Sequence, residues 1–444
     1  MKQRVYWLDT LETESRVPNP EPRVPSPEPR VPSPEPRVPS PRVDVLVVGA
    51  GYTGLSAARR LAKSGASVLV VDREGVGFGA SSRNGGQVLT GLRHEPAALL
   101  AAFGASRARE LFDASRDAMV HLEQLLREES IACDYARCGH IQAAWKPSHF
   151  DAFRDEQALL AKAFEHDVAL VSTRDQRMEI GSDRYFGLLV DEHSAGLNPA
   201  RYVHGLAAVA CRAGARVVPG VAVERIERQA AAWNVTTSAG AVLAREVVIA
   251  TNGYTDSAAP ALRRRLIPIG SYSIVTEPLP ETVVAGLLPK SRMAFDSKHF
   301  LYYFRLAGDR RLLFGGRAEF TQPGPVATLR AARILREGMT TIFPQLAEAA
   351  IEYAWGGNVA FTRDELPHAG RLDGLWFAAG YCGHGIALAT HLGDLVAQRL
   401  AGGEGRRVDH PLFDLPLPSI PLYRGTPWFL PLVGAYYRVK DWLS

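Results

Sequence analysis

Lysine and cysteine are both scarce in this chain. Seven lysines occur in 444 residues, so arginine supplies most of the 51 basic side chains and few candidates exist for a catalytic lysine. The four cysteines, Cys133, Cys138, Cys211 and Cys382, form no C-x-x-C pair and no metal-ligand spacing. That pattern excludes a disulfide scaffold and a structural zinc site, predicts no bound metal, and fits a reducing compartment. Long apolar runs are missing too: no segment reaches the ~20 residues needed to span a bilayer. The residues from Met1 to Asp9 lack the apolar stretch of a signal peptide, so the expectation is a cytoplasmic protein with no transmembrane segment. Nor does one sign of charge dominate. With 51 basic against 47 acidic residues the net charge is +4, too thin over this length for a nucleic-acid-binding surface.

What is present is an ordinary globular composition, 46% hydrophobic, 22% charged and 9% aromatic. At roughly 150 residues per domain the length allows two or three domains with a large core. One segment is foreign to that composition. Residues 17–42 read VPNPEPR, VPSPEPR, VPSPEPR, VPSPR, a seven-residue repeat with proline at nearly every second position. Such a backbone lacks donors for a helix or a sheet ladder and favours polyproline II, a semi-rigid spacer of about 3.1 Å per residue. The spacer reading separates a short aromatic leader, around Tyr6 and Trp7, from the folded body. The alternative reading is weak docking of a proline-binding partner.

The body opens at Val43 with a short β-branched run to Val48, which reads as a buried parallel strand. Gly49-Ala50-Gly51-Tyr52-Thr53-Gly54 follows, then a helical pattern through Ala62, and a second strand, Ser67 to Val71, that ends in Asp72. Further strands are predicted at Val217-Val218, Val242 to Ile249, Tyr272 to Thr276, Leu312 to Phe314 and Leu375 to Ala378. Helices are predicted over Ala97 to Glu129, Phe150 to Glu165, Pro199 to Ala213, Val326 to Thr341 and Ile386 to Leu400. This alternation argues for an α/β fold with a parallel sheet.

The G-x-G-x-x-G at Gly49, Gly51 and Gly54 gains weight from its context: a strand before, a helix after, and Asp72 closing the next strand 18 residues past Gly54. Gly49 permits the tight turn, Gly51 lets backbone approach a pyrophosphate, and Gly54 lets helix pack on strand. The phosphates would sit at the helix N-terminus and Asp72 would accept from the adenosine ribose hydroxyls. A second signal runs from Gly75 to Gln87. Its small and polar residues do not suit a helix; backbone amides and the hydroxyls of Ser81 and Ser82, with Asn84, Gly85 and Gln87 beyond, could track an extended cofactor toward a flavin ring. The alternative is a flexible surface loop. A third signal is a strand ending at Gly380, followed by Tyr381-Cys382-Gly383-His384-Gly385 and a helix from Ile386, whose positive end could face the flavin pyrimidine edge. His384 could act in catalysis or serve as a packing histidine. Finally, Val247 to Gly253 reads as a strand running into a turn over the cofactor, and Val223 could offer backbone groups to the adenine.

Together these motifs resemble the D-amino-acid-oxidase superfamily of FAD-dependent flavoproteins, and within it the gamma-glutamylputrescine oxidase branch. The likeness is carried by YWLDT near the start, VVGAGYTGLSAA, GFGASSRNGGQ, VVIATNGYT, LLFGGR and GYCGHGIALATHLGD. In the tail it is carried by Pro427 to Leu430 and Tyr436 to Asp441. The resemblance implies FAD, a discontinuous Rossmann-like FAD-binding domain (43–92, 195–265 and 352–405), and an inserted α+β mixed-sheet substrate domain (93–194 and 266–351). Outside these lie the leader (1–16), the linker (17–42) and a tail (406–444). Sarcosine oxidases of this superfamily would carry a flavin-linking cysteine where Val359 stands, and glycine-oxidase-like members a carboxylate-binding arginine. The lysine two residues after the GHG motif is Ala387 here, and Leu313 stands loosely where an oxygen-activating lysine would be. These departures imply non-covalent FAD and an amine, rather than a simple amino acid, at the flavin.

The resemblance therefore implies a small-molecule amine substrate, a gamma-glutamylputrescine-like or polyamine derivative. Its C–N bond is oxidised by hydride transfer to flavin N5, with molecular oxygen or another acceptor taking the electrons and an imine, an aldehyde and peroxide as products. Tyr303 and Arg317 join His384 as catalytic candidates: Tyr302 and Tyr303 point to opposite faces of a strand, so at most one faces the flavin. Arg317, closing a Gly315-Gly316-Arg317 turn, could bind a distal carboxylate or form a structural ion pair. Rival readings are an amino-acid oxidase or dehydrogenase, and a flavin-stabilised interaction protein docking through the proline repeat. The aromatic run from Trp428 to Tyr437 is too short to span a membrane and is expected to dock on the body.

Overall fold

The computed structural model of the protein describes residues 1–14, 42–318, 322–402, 408–430 and 434. The proline repeat, apart from Arg42, and the tail from Tyr436 to Asp441 lie outside the described residues. Two eight-stranded sheets organise the chain. In the first, strands Leu375–Ala379, Gly240–Ile249, Arg42–Val48, Val68–Asp72 and Arg216–Pro219 run parallel, with His368–Leu372 antiparallel at one edge. Arg42–Val48 sits at the centre because Val45, Leu46 and Val47 are buried on both faces, which suits β-branched and aliphatic side chains. Its next strand in sequence lies on one side and Gly240–Ile249 on the other. The crevice beyond Val48 is thus the topological switch point where doubly wound folds bind ligands. Val223–Gln229 and Ala232–Thr237 add an antiparallel meander to Gly240–Ile249. Period-2 alternation buries Trp233, Val235 and Thr237 there.

The second sheet runs in the order Ile351–Phe361, Ile267–Thr276, Leu312–Gly316, Tyr302–Leu306, Met293–Asp296, His140–Ala143, Leu188–Asp191 and Ala169–Val171. All neighbours are antiparallel except Met293–Asp296 beside His140–Ala143, which makes the sheet mixed. Helix Pro325–Ile342 covers it with a stripe of Ala327, Ala331, Leu335, Met339 and Ile342, all buried at helical spacing. Full burial of each of the last three is worth about 1.5–3 kcal/mol. The helices expected from periodicity occur as Pro96–Glu128, Pro147–Phe164, Pro199–Arg212, Pro325–Ile342 and Gly385–Ala401. The first of these is kinked at Gly104, whose φ is 73°.

Four local features differ from the sequence-based expectation. Residues 352–361, placed by the expected boundaries in the FAD-binding unit, lie in strand Ile351–Phe361, which pairs along its length with Ile267–Thr276 of the second sheet. Ala80–Arg83 forms one helical turn in the glycine-rich segment, since Ser82 is buried and Arg83 folds back to donate to the Phe78 carbonyl at 2.6 Å. Gly315 and Gly316 belong to a strand rather than a turn, and the Tyr303 ring fills the space a Gly315 Cβ would need. The leader docks on the body instead of standing apart from it. Tyr6–Glu14 is a helix, and Val5, Tyr6 and Trp7 are buried against Leu313, Tyr353 and Trp355, because aromatic area of this size gains most by leaving water. Lys2 joins the edge of the second sheet, its amide donating to Glu352 O at 2.6 Å and its carbonyl accepting from Ala354 N at 3.0 Å.

Candidate active site

Both sheets border one cavity of about 580 Å³. At its first end the Val48–Gly49 strand terminus meets helix Tyr52–Lys63. Gly54 makes this meeting possible: a Cβ there would lie 2.0 Å from the Gly49 carbonyl oxygen. The helix is thus drawn onto the strand with its first-turn amides, which have no intrahelical acceptors, turned to the cavity that Gly49, Gly51 and Thr53 line. Ser81 braces this turn by accepting from the Tyr52 amide at 3.1 Å. Asp72 lines the cavity as well, but its carboxylate is also a fastener. Oδ2 accepts from Ala50 N at 2.8 Å, and Oδ1 accepts from Glu74 N and Gly75 N at 3.0 Å. Val223 borders the same end.

In the middle, Asn84, Gly85 and Gln87 face the N-terminus of helix Gly385–Ala401 across the cavity, with Gly383, His384, Gly385 and Ile386 opposite. Gly86 has φ 70°, and a Cβ on it would lie 2.2 Å from the Leu197 carbonyl oxygen. The backbone is therefore pressed against Leu197 at a conformation that favours glycine. The Asn84 side chain shapes its own turn, accepting from Gly86 N at 2.8 Å and donating to the Ala80 carbonyl at 2.9 Å. Gln87 reaches toward the second sheet, its amide donating to Ala294 O at 3.4 Å.

The far end is built from side chains of the second sheet and its loops. Tyr303 lines it, its hydroxyl 3.0 Å from Ser273 Oγ and its ring against Gly85, while Tyr302 packs on Phe314 at 5.0 Å between centroids. Arg317 lies over the Phe361 ring at 5.0 Å. Asp296, fully buried, is pushed up to about 6 by desolvation and stands 3.4 Å from Lys298 Nζ, which caps the Trp145 and Tyr302 rings at 4.0 and 3.5 Å. His384 Nδ1 is buried without a hydrogen-bond partner, and burial with the nearby Arg93 guanidinium pushes the imidazole down to about 4.

Of the residues singled out from sequence, Gly49, Gly51, Asp72, Ser81, Asn84, Gly85, Gln87, Val223, Tyr303, Arg317, Gly383, His384, Gly385 and Ile386 converge on this cavity. Gly54, Ser82, Gly253 and Gly380 lie behind its wall. Gly380, for example, donates its amide to Asn252 Oδ1 at 3.0 Å. Leu313 is buried under the leader, whereas Val359 lines the cavity. Sequence reading missed Asp296, Lys298, Phe295, His140, Tyr254 and Asn358, all of which line it too. The one signal for Lys298 was the rarity of lysine. The donor set fits a dinucleotide flavin. Helix-end amides and a Cβ-free approach serve the pyrophosphate, and buried polar atoms without partners, Asn358 Oδ1 and His384 Nδ1, stand by the middle. Among the described residues no three His, Cys, Asp or Glu side chains are grouped to hold a metal ion, and no helix is long and apolar enough to cross a membrane.

A doubly wound sheet with a mixed-sheet partner, closing together on one elongated cavity, is the architecture of a flavin-dependent oxidoreductase. The family model of FAD dependent oxidoreductases (DAO) matches residues 44–399. The chain is 33% identical over 408 residues to the gamma-glutamylputrescine oxidoreductase of Escherichia coli, covering 90% of this chain and 93% of that one. It is 32% identical over 369 residues to a probable oxidoreductase OrdL of Haemophilus influenzae, covering 82% and 84%. Among solved structures, glycine oxidase from Geobacillus kaustophilus superposes with a TM-score of 0.70 at 20% identity, over 84% of this chain and 97% of that one. The chain belongs to the DAO family of FAD-dependent oxidoreductases. It is an enzyme, and FAD is its cofactor.

Proposed function

We propose that this enzyme oxidises the C–N bond of an amine of the gamma-glutamylputrescine kind, with FAD bound non-covalently. The observation that carries the reading is Val359. It lines the cavity where an arginine would clamp an α-carboxylate or a cysteine would tether the flavin, and its isopropyl group can do neither. The similarity to the E. coli gamma-glutamylputrescine oxidoreductase supports the same substrate class. Gly49, Gly51, Thr53 and Ser81 would hold the pyrophosphate, Val223 and Asp72 the adenosine, and Gly85, Asn358 and the start of helix Gly385–Ala401 the ring system. FAD, when bound, would supply a two-electron oxidant for the carbon beside nitrogen, with oxygen (giving peroxide) or another acceptor taking up the electrons in turn.

The chain's own part is to deliver a neutral, oriented amine. Phe295, Tyr303 and Val359 would surround the reacting end with largely apolar surface, which disfavours the ammonium form and frees the nitrogen lone pair. His384 is uncharged at neutral pH, and its imidazole takes a hydrogen bond from the amine N–H and turns the lone pair toward the carbon that loses hydride. Arg317 meets a carboxylate at the distal end of the substrate. The imine product hydrolyses to an aldehyde. Anaerobic bleaching of the flavin absorbance tests this with gamma-glutamylputrescine, free polyamines, simple amines and α-amino acids. Rapid bleaching by the amines is expected, and bleaching by α-amino acids alone would overturn the reading.

A further inference from the structure

The turn from Arg83 to Gly86 is held from behind by three side chains that never reach the cavity. The Trp355 indole donates to the Arg83 carbonyl at 2.9 Å, the Trp7 indole to the Asn84 carbonyl at 3.0 Å, and Arg305 Nη1 to the Gly86 carbonyl at 2.7 Å. Trp7, Trp355 and Arg305 are all absent from the cavity wall, whereas Arg83, Asn84, Gly85 and Gln87 form part of it. A trans peptide points its C=O and N–H in opposite directions. With the Asn84 carbonyl drawn back onto Trp7, the Gly85 N–H is turned toward the cavity that Gly85 lines, and it meets no acceptor among the described residues. A half-buried donor left open at the wall of a cavity marks a place where a ligand can supply the acceptor.

We propose that Trp7, carried by the N-terminal leader, is a positioning residue for the flavin. It fixes the Asn84–Gly85 peptide so that the Gly85 N–H stands as a preformed donor to an acceptor atom of the cofactor's ring system. The leader does not depend on this bond for docking. Tyr6 donates its hydroxyl to Asp309 at 2.6 Å, Lys2 bonds Glu352 at 2.9 Å, and the Thr10 hydroxyl accepts from Asn198 at 2.9 Å. The inference rests on the cofactor alone and not on the identity of the amine.

The test compares Trp7→Phe with Tyr6→Phe in the full chain. Both delete one part-buried hydrogen bond of the leader, but only Trp7 touches the turn from Arg83 to Gly86. Trp7→Phe should weaken FAD retention about tenfold, the cost of leaving a half-buried peptide carbonyl unmatched, and shift the visible bands of the bound flavin. Tyr6→Phe should lower the melting temperature with FAD affinity and spectrum unchanged. Unchanged affinity and spectrum in Trp7→Phe would overturn the proposal. So would losses of FAD affinity that track melting temperature equally in both variants. Should Trp7→Phe fail to fold, incorporation of benzothienylalanine at position 7 keeps the indole's shape and deletes only its N–H, with the same two readouts.

Discussion

At the dinucleotide end of the cavity the groups that face inward are main-chain amides, set by where a strand stops and a helix starts. At the end bordered by the second sheet, where the proposed substrate would bind, they are side chains, Tyr303, Arg317, Asp296, Lys298 and Phe295, carried by its strands and loops. The contrast separates two kinds of recognition. Backbone presents the same chemistry whatever the sequence, provided that glycine clears the way, so the first end suits a cofactor shared by a whole family. Side chains can be exchanged without moving the sheet, so the second end can set the substrate.

The largest effect should come from breaking the backbone end. In Gly54→Ala the new Cβ would stand 2.0 Å from the Gly49 carbonyl oxygen, and helix and strand must part. Purified protein is expected to carry almost no absorbance at flavin wavelengths and to lose about 3 kcal/mol or more in denaturant unfolding. The side-chain end should break differently. Val359→Arg puts a cation in the cavity wall where the proposed amine would react, and flavin reduction by the amine should slow about a hundredfold while FAD content stays full, as rapid-mixing absorbance would show.

A smaller effect concerns the helix that links the two ends. His391 on helix Gly385–Ala401 meets the His121 ring at a tilt, 4.8 Å between centroids, and the His410 ring edge-on at 5.2 Å. Burial pushes His391 down to about 3, His410 to about 4, and lowers His121 too. The unfolded chain binds protons to these imidazoles near pH 6.5, so their stabilisation is complete above that value. It is lost progressively as pH falls from about 6.5 toward 3. Melting temperature should decline across that window, and less steeply in His391→Leu. The least effect is expected at the surface. Arg177→Ala removes an exposed pair with Asp183 and should change unfolding free energy by no more than about 0.5 kcal/mol, with FAD retention unaltered.

The same division explains what could be read from sequence. Gly49, Gly51, Gly54 and Asp72 declare themselves by spacing, because the backbone path they impose is local. Spacing does not tell which peptides of a motif face the ligand, and so Ser82, Gly253 and Gly380, all within recognisable motifs, stand behind the wall. Asp296 ends and Lys298 follows a four-residue strand, Met293–Asp296, too short to show a period, and their neighbour Trp145 comes from a segment some 150 residues away. The docking of the leader was least legible of all, since Lys2 and its partner Glu352 are 350 positions apart. Proline spacing suggested separation, and nothing in the leader itself names its seat.

That seat has a consequence for the timing of synthesis. The leader is made before most of the body, yet Tyr353 and Trp355, against which Tyr6 and Trp7 pack, are added some 350 residues later. At roughly 5–20 residues per second the first aromatic side chains wait on the order of tens of seconds without their pocket. The turn that Trp7 grips is synthesised long before its two other clasps, Arg305 and Trp355. The Trp7 bond to the Asn84 carbonyl therefore gains its packing partners Tyr353 and Trp355 only once that late segment has been made.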